Sequence, residues 1–277
     1  PEVSNALFDA VERWAKSKGM THIHGPLGFT DFDNEGALIE GYDRPGTLAT
    51  IYNYPYYIEH YERLGFEKEA DWVEYLITVP DVFPEKFIRM AEIVKRKFNL
   101  HPVQLVSKKD TVERYGQKIF DLLNEAYKDL FGFAKLTDEQ IQFYIKLYFS
   151  FFRLDTVVLV ENDEGDLIAL GIAMPSFTKA LQKVKGKLFP FGWYHMLKAI
   201  KKNDLLDLYL IAVHPDYQNK GVNAILFAEM MPVAAKNGYV YAESNPELET
   251  NTKITAHWDY FEHEIHKKRR VYIKAIK

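Results

Sequence analysis

Apolar residues recur along this chain at two spacings, which predict helices in some stretches and strands in others. Near the start, the apolar residues between positions 6 and 14 follow helical spacing, and Gly19 marks the end of that helix. Between residues 156 and 174, two runs rich in aliphatic and β-branched residues flank a polar turn at 162–165, which is typical of a hairpin. This alternation of helices and strands predicts an α/β (α+β) protein.

The second half of the pattern gives further predictions. A helix begins near Thr137, where Gln140 completes a capping box three residues later. Another helix covers residues 222–236, and we expect Pro232 to kink or split it. The last predicted elements are a helix within 251–264 and a closing strand over 269–276.

One order of elements occurs twice in the chain. Residues 4–79 and residues 222–276 both read as helix, glycine, strand, loop, helix and strand. This predicts a duplication in which the first copy lacks its opening half. The alternative is coincidence, because helix–strand alternation is common in α/β proteins. The sequence opens on a helical pattern without an initiator methionine, so we expect processing or residues before Pro1.

Composition narrows the functional classes. The chain has 277 residues, of which 47% are hydrophobic and 27% charged, as in ordinary globular proteins. A net charge of −4 argues against a broad nucleic-acid surface. With no cysteine, disulfides, thiolate catalysis and cysteine-bound zinc are excluded. No apolar run approaches the ~20 residues of a spanning helix, and no signal peptide is visible. We therefore expect a cytoplasmic protein with neither nucleic-acid nor membrane partners.

The segment 206–223 carries the most specific chemistry. An apolar strand ends at His214-Pro215, and a turn containing Lys220 and Gly221 leads into the next helix. The first N–H groups of a helix have no partner within it, and the helix dipole favours an anion there. Since glycine lacks a Cβ, a phosphate can approach the backbone closely. The turn thus predicts a phosphate or pyrophosphate site, although Gly221 could instead serve only a tight connection.

This segment resembles the acetyl-CoA signature of the GNAT superfamily of N-acetyltransferases. That signature is a strand, often ending in Val-x-Pro, then Gln/Arg-x-x-Gly-x-Gly/Ala opening a helix. Val213, Pro215, Gln218 and Gly221 match it, whereas Asn223 replaces the final small residue. The hairpin at 156–174 resembles the two strands that precede the signature strand. Further matches, at Tyr61, Gly65 and Phe66, lie where a helix of the family ends.

The resemblance implies a GNAT-like mixed central sheet with flanking helices in a tandem arrangement. Residues 1–82 would be the C-terminal half of a first domain, and residues 83–277 a complete second domain. It also implies acetyl-CoA, or another acyl-CoA, as co-substrate and a small-molecule amine as acceptor. The residues expected to bind the co-substrate are Val213, Gln218, Asn219, Lys220, Gly221, Val222, Asn223 and Asn251.

The family often uses a glutamate or a chain of water molecules as base and a tyrosine of the last helix as acid. The tyrosine position is occupied here by Trp258, whose N–H does not ionise, and Tyr260 is the substitute candidate. For the base, the signature strand offers Asp207 and Tyr209, and the next strand offers Tyr241 and Glu243. We expect an apolar strand to raise the pKa of Glu243. The alternative is a strand-end carboxylate exposed to solvent.

Three functional hypotheses follow. The first is an N-acetyltransferase that transfers the acyl group directly to an amine. The second is a GNAT-fold CoA-binding or scaffold module without activity, which Asn223 and Trp258 favour. The third, a tRNA-dependent aminoacyl transfer of the peptidoglycan type, is disfavoured by the acidic balance. The histidine pairs His22/His24 and His263/His266 lack a strong ligand pattern, so no metal is expected. The oligomeric state stays open.

Overall fold

A computed structural model describes residues 1–30, 32–148, 152–251 and 257–276. Within these ranges the helices are α1 (Glu2–Ser17), α2 (Tyr56–Arg63), α3 (Glu85–Phe98), α4 (Lys108–Ala126), α5 (Asp138–Tyr148), α6 (Thr178–Lys183), α7 (Gly192–Lys201) and α8 (Asn223–Lys236). The strands are β1 (His22–Gly25), β2 (Ala37–Glu40), β3 (Glu67–Thr78), β4 (His101–Pro102), β5 (Val157–Glu161), β6 (Leu167–Pro175), β7 (Leu205–Val213), β8 (Tyr241–Ser244), β9 (Glu247–Leu248) and β10 (His263–Ala275).

All ten strands belong to one mixed sheet. Its order is β1-β10-β3-β8-β7-β6-β5-β4, with β2 beside β10 and β9 beside β3. Strands β7 and β8 run parallel, and every other described pair is antiparallel. The predicted mixed α/β sheet is confirmed.

Strand β3 joins the two predicted halves of the chain. It lies between β8 and β10, and it pairs with β10 along most of its length. A strand from the predicted first unit, residues 1–82, is therefore inserted among strands of the predicted second unit, residues 83–277. The two units share one sheet, and the division into two domains stays a prediction.

Helices cover both faces of the sheet, and each face has its own core. Alternation along β5 shows the division, because Val158 and Val160 face one core while Leu159 faces the other. The first core lies under α3 and α8 and includes Phe87, Val94, Ile225 and Met231. The second lies under α4 and α5 and includes Ile119, Leu123 and Ile141. Each fully buried side chain of this kind contributes about 1.5–3 kcal/mol.

Two local predictions are confirmed at the level of hydrogen bonds. In the β5–β6 hairpin, the Gly165 N–H donates to the Asn162 carbonyl at 3.1 Å. At the start of α5, the Gln140 N–H donates to Thr137 Oγ1 at 3.3 Å, and the Thr137 N–H donates to Gln140 Oε1 at 2.9 Å. This reciprocal pair is the predicted capping box.

Two element boundaries differ from the prediction. Helix α8 is not split at Pro232, because its buried neighbours Met231 and Ala234 hold the helix in the core on both sides of the proline. The helix predicted within 251–264 is wrong at its C-terminal end, where β10 already begins at His263. Pairing of β10 with β3 overrides local helix spacing there. Residues 252–256 of that prediction lie outside the described part of the chain.

Candidate active site

The centre of the sheet opens where β7 and β8 separate. The two strands pair in parallel from Leu205 and Tyr241 to Leu208 and Ser244. Beyond Leu208, β7 continues to Val213 and stays paired with β6 on its other side. The separation of β7 from β8 leaves this edge of β7 without a partner strand in the described part of the chain, although the Ile211 carbonyl accepts a hydrogen bond from the Tyr127 hydroxyl at 2.8 Å.

A bulge and a cross-strand clamp fix this separation. The β6–β7 register moves from Ala173↔Leu208 to Ile172↔Leu210, so Tyr209 is the extra residue of a bulge. Just beyond β8, the Asn245 side chain donates to the Tyr209 carbonyl at 2.8 Å, and its N–H donates to Leu208 at 3.2 Å. The position of the gap is therefore fixed by the bulge on the β6 side of β7 and by the hydrogen bonds of Asn245 on the β8 side.

A cavity of about 420 Å³ occupies the gap. It extends from α8, at Leu226 and Met230, through the sheet to α4 on the opposite face. Aromatic and aliphatic side chains form most of its wall, including Trp72, Ile119, Phe120, Phe131, Phe152 and Leu210. A few polar groups enter it, among them Tyr209, Asn245, Glu247 and Asn251. An apolar wall with a few convergent polar groups is the usual form of a ligand site.

The turn after β7 presents backbone N–H groups at the end of the strand that borders this gap, although none of its residues lines the cavity. Asn219 and Gly221 have positive φ angles of 59° and 80°, and α8 begins at Asn223. The five successive N–H groups of residues 219–223 donate to no acceptor among the residues that the structure describes. Only the N–H of Gln218 is used internally, by the carbonyls of His214 and Pro215. Free N–H groups at a helix start favour an anion.

The conformation of Gly221 explains why this position is a glycine. An added Cβ would lie 3.4 Å from Val94 Cγ2, which is nearly ordinary contact. The φ of 80° is the stronger constraint, because side chains other than glycine avoid that region.

The other residues predicted to bind the co-substrate have different surroundings. The Val213 carbonyl accepts a hydrogen bond at 3.2 Å from Gln218 Nε2, so the Gln218 side chain stabilises the turn by an internal hydrogen bond. Lys220 is exposed, with its Nζ 5.4 Å from the ring centroids of Phe98 and Tyr217. These contacts leave the ammonium group of Lys220 at the edge of the turn.

Three further predicted residues complete this picture. Val222 is buried in the core under α8 and offers only its backbone. Asn223 is half-buried, and its Nδ2 lies 3.0 Å from His257 Nε2. Asn251 lies on the cavity wall, at the edge of the described residues. The turn therefore lies between β7 and α8, as the sequence predicts, and binding of the co-substrate by these residues stays a prediction.

Glu243 differs from its expectation. It is buried beside Lys267 Nζ, and His266 Nε2 lies 3.2 Å from its carboxylate. Burial alone would raise the pKa of Glu243, but the adjacent His266 and the charge of Lys267 hold that pKa below its ordinary value. The expected rise of the pKa was wrong because β10 brings a cation to the site. Glu243 is also not among the residues that line the cavity.

The surroundings of Glu243 form a buried ion-pair cluster. Glu74 pairs with Lys267 at 2.7 Å and with Arg269 at 2.6 Å, and all of these side chains are buried. The ligand atoms of Glu74, Glu243 and His266 lie within 4.8 Å of one another, a spacing that suits a metal ion. The ammonium group of Lys267 already lies against both carboxylates. A cation of the chain itself thus balances this group of charges.

Asp207 lies next to this cluster on β7, opposite Glu243 in the sheet. Its carboxylate is buried, and burial together with the charge of Glu243 raises its pKa to about 7. Asp207 does not line the cavity.

The two tyrosine candidates occupy different places. Tyr209 is the bulge residue of β7 and lines the cavity. Tyr260 is 49% exposed, lies beneath the ammonium group of Lys86, and packs edge-on against Phe87. It does not line the cavity, so the structure brings only Tyr209 to the gap.

Sequence reasoning missed Glu247. This residue is half-buried on the cavity wall, and the Trp258 Nε1–H lies 3.1 and 3.2 Å from its two carboxylate oxygens. Burial raises the pKa of Glu247 to about 8, although the hydrogen bond from Trp258 acts in the opposite direction. In the sequence, Glu247 looks like a solvated loop residue. One feature of the sequence could have pointed to Glu247. Trp258 occupies the position of the expected acid, and its N–H, which does not ionise, needs an acceptor such as a carboxylate.

Comparison with known proteins supports the fold. No protein-family model matches the chain. Protein YghO of Escherichia coli is 25% identical over the whole chain, which covers 71% of that protein. The Caulobacter vibrioides protein named bacterial ceramide synthase is 28% identical over the whole chain, which covers 72% of it. None of the described helices is both long and apolar enough to span a bilayer.

A solved structure gives the architecture. It is a GCN5-related glucosamine N-acetyltransferase region of a fungal multi-domain β-N-acetylglucosaminidase, 9% identical, with a TM-score of 0.53. The match covers 97% of this chain and 27% of the fungal one. The chain therefore has the GNAT fold.

Proposed function

We propose that the protein is an N-acyltransferase that moves an acyl group from a coenzyme A thioester to an amine. One observation carries the proposal: the opening between β7 and β8 holds the cavity, and free backbone N–H groups lie at the end of the same strand. Such an arrangement can hold a long ligand with an anionic end and a reactive end. The fold adds to this support.

The residues present fit coenzyme A. The N–H groups of residues 219–223, with Lys220 beside them, would hold its diphosphate. The edge of β7 beyond Leu208 would hold its pantetheine arm. When bound, the co-substrate supplies an activated acyl group.

The cavity favours an acyl chain longer than acetyl or an apolar acceptor. An acetyl group would fill little of about 420 Å³, and the wall near α4 is formed by Phe120, Phe131 and Phe152. The Caulobacter relative is named a ceramide synthase, an activity that joins an acyl group to a long-chain amine. We extend the proposal accordingly to an amine with an apolar chain.

Glu247 and Tyr209 take the proton-transfer roles in this proposal. The amine nitrogen attacks the thioester carbonyl, and the C–S bond breaks as the amide C–N bond forms. Glu247, with its pKa raised to about 8, accepts the amine proton, and Trp258 holds the carboxylate in place. The leaving thiolate takes a proton from the Tyr209 hydroxyl, which recovers it from solvent, and Glu247 releases the amine proton to solvent, so no net proton is consumed. The products are an amide and free coenzyme A.

Thiol release tests the function directly. The protein contains no cysteine, so any thiol that appears comes from coenzyme A. We expect turnover with long-chain acyl-CoA and a long-chain amino alcohol, and slower turnover with acetyl-CoA or a short amine. Acyl-CoA binding without turnover on any amine would instead support the inactive binding module. Absence of acyl-CoA binding by calorimetry would remove both.

A matched pair of glycine variants tests the turn. Gly221 and Gly238 have nearly the same φ, 80° and 82°, so valine strains the backbone similarly at both. Only Gly221 lies among the free N–H groups. We expect Gly221→Val to weaken acyl-CoA binding by about tenfold or more, because each charge-assisted contact contributes roughly 1.5–3 kcal/mol. Gly238→Val should bind like the wild type, and equal losses in both variants would contradict the anion site.

A further inference from the structure

A basic and aromatic surface lies outside the proposed active site, on the segment between β6 and β7. Residues 176–203 contain seven lysines and no acidic residue, although the whole chain has a net charge of −4. Lys179 pairs with Asp204 at 2.6 Å. The other six, which form no ion pair within the described chain, are exposed and are Lys183, Lys185, Lys187, Lys198, Lys201 and Lys202.

Large apolar side chains protrude from the same segment. Phe189 is 82% exposed and Phe191 is 70% exposed. The exposed apolar set is completed by Leu188, Trp193, Tyr194 and Leu197. We call these six residues and the six free lysines the basic aromatic surface. So many adjacent exposed rings are unusual for a surface that meets only water.

Helix α7 has an apolar face wider than the core that it covers. Met196, Ala199 and Ile200 pack against the core under α4. By helical spacing, Trp193 and Leu197 lie beside Ile200 at the edge of the same face, and both are half-exposed. Folding of the core does not require these two large apolar side chains at the solvent edge.

The turn before α7 displays the two phenylalanines in a fixed position. The Trp193 N–H donates to the Leu188 carbonyl at 3.0 Å, and the Trp193 indole N–H donates to the Pro190 carbonyl at 2.9 Å. The Tyr194 N–H donates to the Phe191 carbonyl at 3.2 Å. The rings are therefore held outward by the fold.

We propose that the basic aromatic surface docks the protein on an anionic lipid bilayer. Phenylalanine, leucine and tryptophan tips suit the boundary between headgroups and acyl chains, while lysines beside them attract anionic headgroups. Docking of this kind needs no spanning helix. It departs from the expectation that the protein has no membrane partner. The proposal rests on this surface alone and is independent of acyl transfer.

Flotation with vesicles tests the docking. We expect the full chain to bind phosphatidylcholine vesicles containing about a third phosphatidylglycerol at least tenfold more tightly than pure phosphatidylcholine vesicles, and to lose binding at high salt. No acyl-CoA or amine is present, so failure here is separate from failure of the proposed function. Absence of binding to anionic vesicles, or equal binding to both kinds, would overturn the proposal.

Paired variants locate the contact. Phe189→Ser with Phe191→Ser, and separately Lys198→Gln with Lys201→Gln, should each weaken binding by about tenfold or more. The apolar control is Ile88→Ser with Ile93→Ser on α3, which covers the opposite face of the sheet, and Ile93 is 64% exposed. The basic control is Arg96→Gln with Lys97→Gln on α3. Equal losses in test and control variants would contradict docking through α7.

Two other occupants are outcomes of the same experiment. A concentration-dependent dimer in sedimentation, abolished by the phenylalanine pair and accompanied by no vesicle binding, would assign the surface to a second copy. Binding of a single-stranded oligonucleotide in place of vesicles would assign it to nucleic acid. Either result overturns the lipid proposal. All variants change exposed side chains, so unchanged thermal unfolding is the expected check on their fold.

Discussion

Glu243 and Glu247 lie four positions apart in the chain, yet their carboxylates have opposite properties. Burial acts on both in the same direction, towards a raised pKa. Glu243 lies beside Lys267 and His266, and its pKa is below the ordinary value. Among the residues that the structure describes, Glu247 accepts a side-chain hydrogen bond only from the neutral indole N–H of Trp258, and its pKa is about 8.

The difference shows that the partner, more than the burial, decides what a carboxylate can do. A charged partner stabilises the ionised form and fixes Glu243 as part of the buried cluster. A neutral donor orients Glu247 without removing its affinity for a proton. The first arrangement suits stability and the second suits proton transfer at neutral pH.

Replacement of Glu247 is expected to have the largest effect. Glu247→Gln keeps the shape and the contact with Trp258 but cannot accept the amine proton, so kcat should fall by about 10²- to 10⁴-fold. Steady-state assays of thiol release would measure kcat. Glu249→Gln is the matched control, because that carboxylate is exposed and pairs with Lys68 and Lys268. A Glu247→Gln variant within threefold of the wild type would remove Glu247 from the mechanism.

Replacement of Lys267 tests the proposed stabilising role of the buried cluster around Glu243. Lys267→Met leaves Glu74 and Glu243 buried without their shared cation, which should lower the free energy of unfolding by about 3–5 kcal/mol. Urea denaturation would measure this loss. Lys109→Met is the control, since Lys109 pairs with Glu113 and both side chains are exposed, so the change should cost at most about 1 kcal/mol.

A second variant keeps this test informative if Lys267→Met does not fold. Adding Glu243→Gln removes one of the uncompensated charges, so the double variant should recover part of the lost stability. Equal stability of the wild type and Lys267→Met would show that the cluster contributes little.

The sequence predicted the features that depend on local signals. The hairpin turn at 162–165, the capping box at Thr137 and the turn around Gly221 each need only neighbouring residues. The resemblance carried by that last turn then gave the fold. Local spacing could not place β3 between β8 and β10, because sheet order depends on contacts between distant segments.

The two glutamates could not be told apart for the same reason. The partner of Glu243 comes from β10, 24 residues away, and the register of β3 adds Glu74 to the group. Glu247 is buried because β9 pairs with β3, where it lies opposite Val73. Each environment is set by strand pairing over long distances in the chain, so local sequence patterns could not distinguish the two carboxylates.

The smallest expected effect is a shift in the pH dependence of the reaction. The base must be ionised, so the rate should rise with pH through an inflection near 8, the pKa of Glu247. The Trp258 N–H stabilises the ionised form, and Trp258→Phe should therefore raise the pKa further, by roughly half to one unit for one neutral hydrogen bond. The variant would be slower at pH 7 and nearly normal above pH 9. Trp193→Phe, which changes an exposed ring remote from the cavity wall, should leave the inflection in place. Loss of rate at every pH with an unmoved inflection would mean that Trp258 only shapes the cavity and that another group titrates.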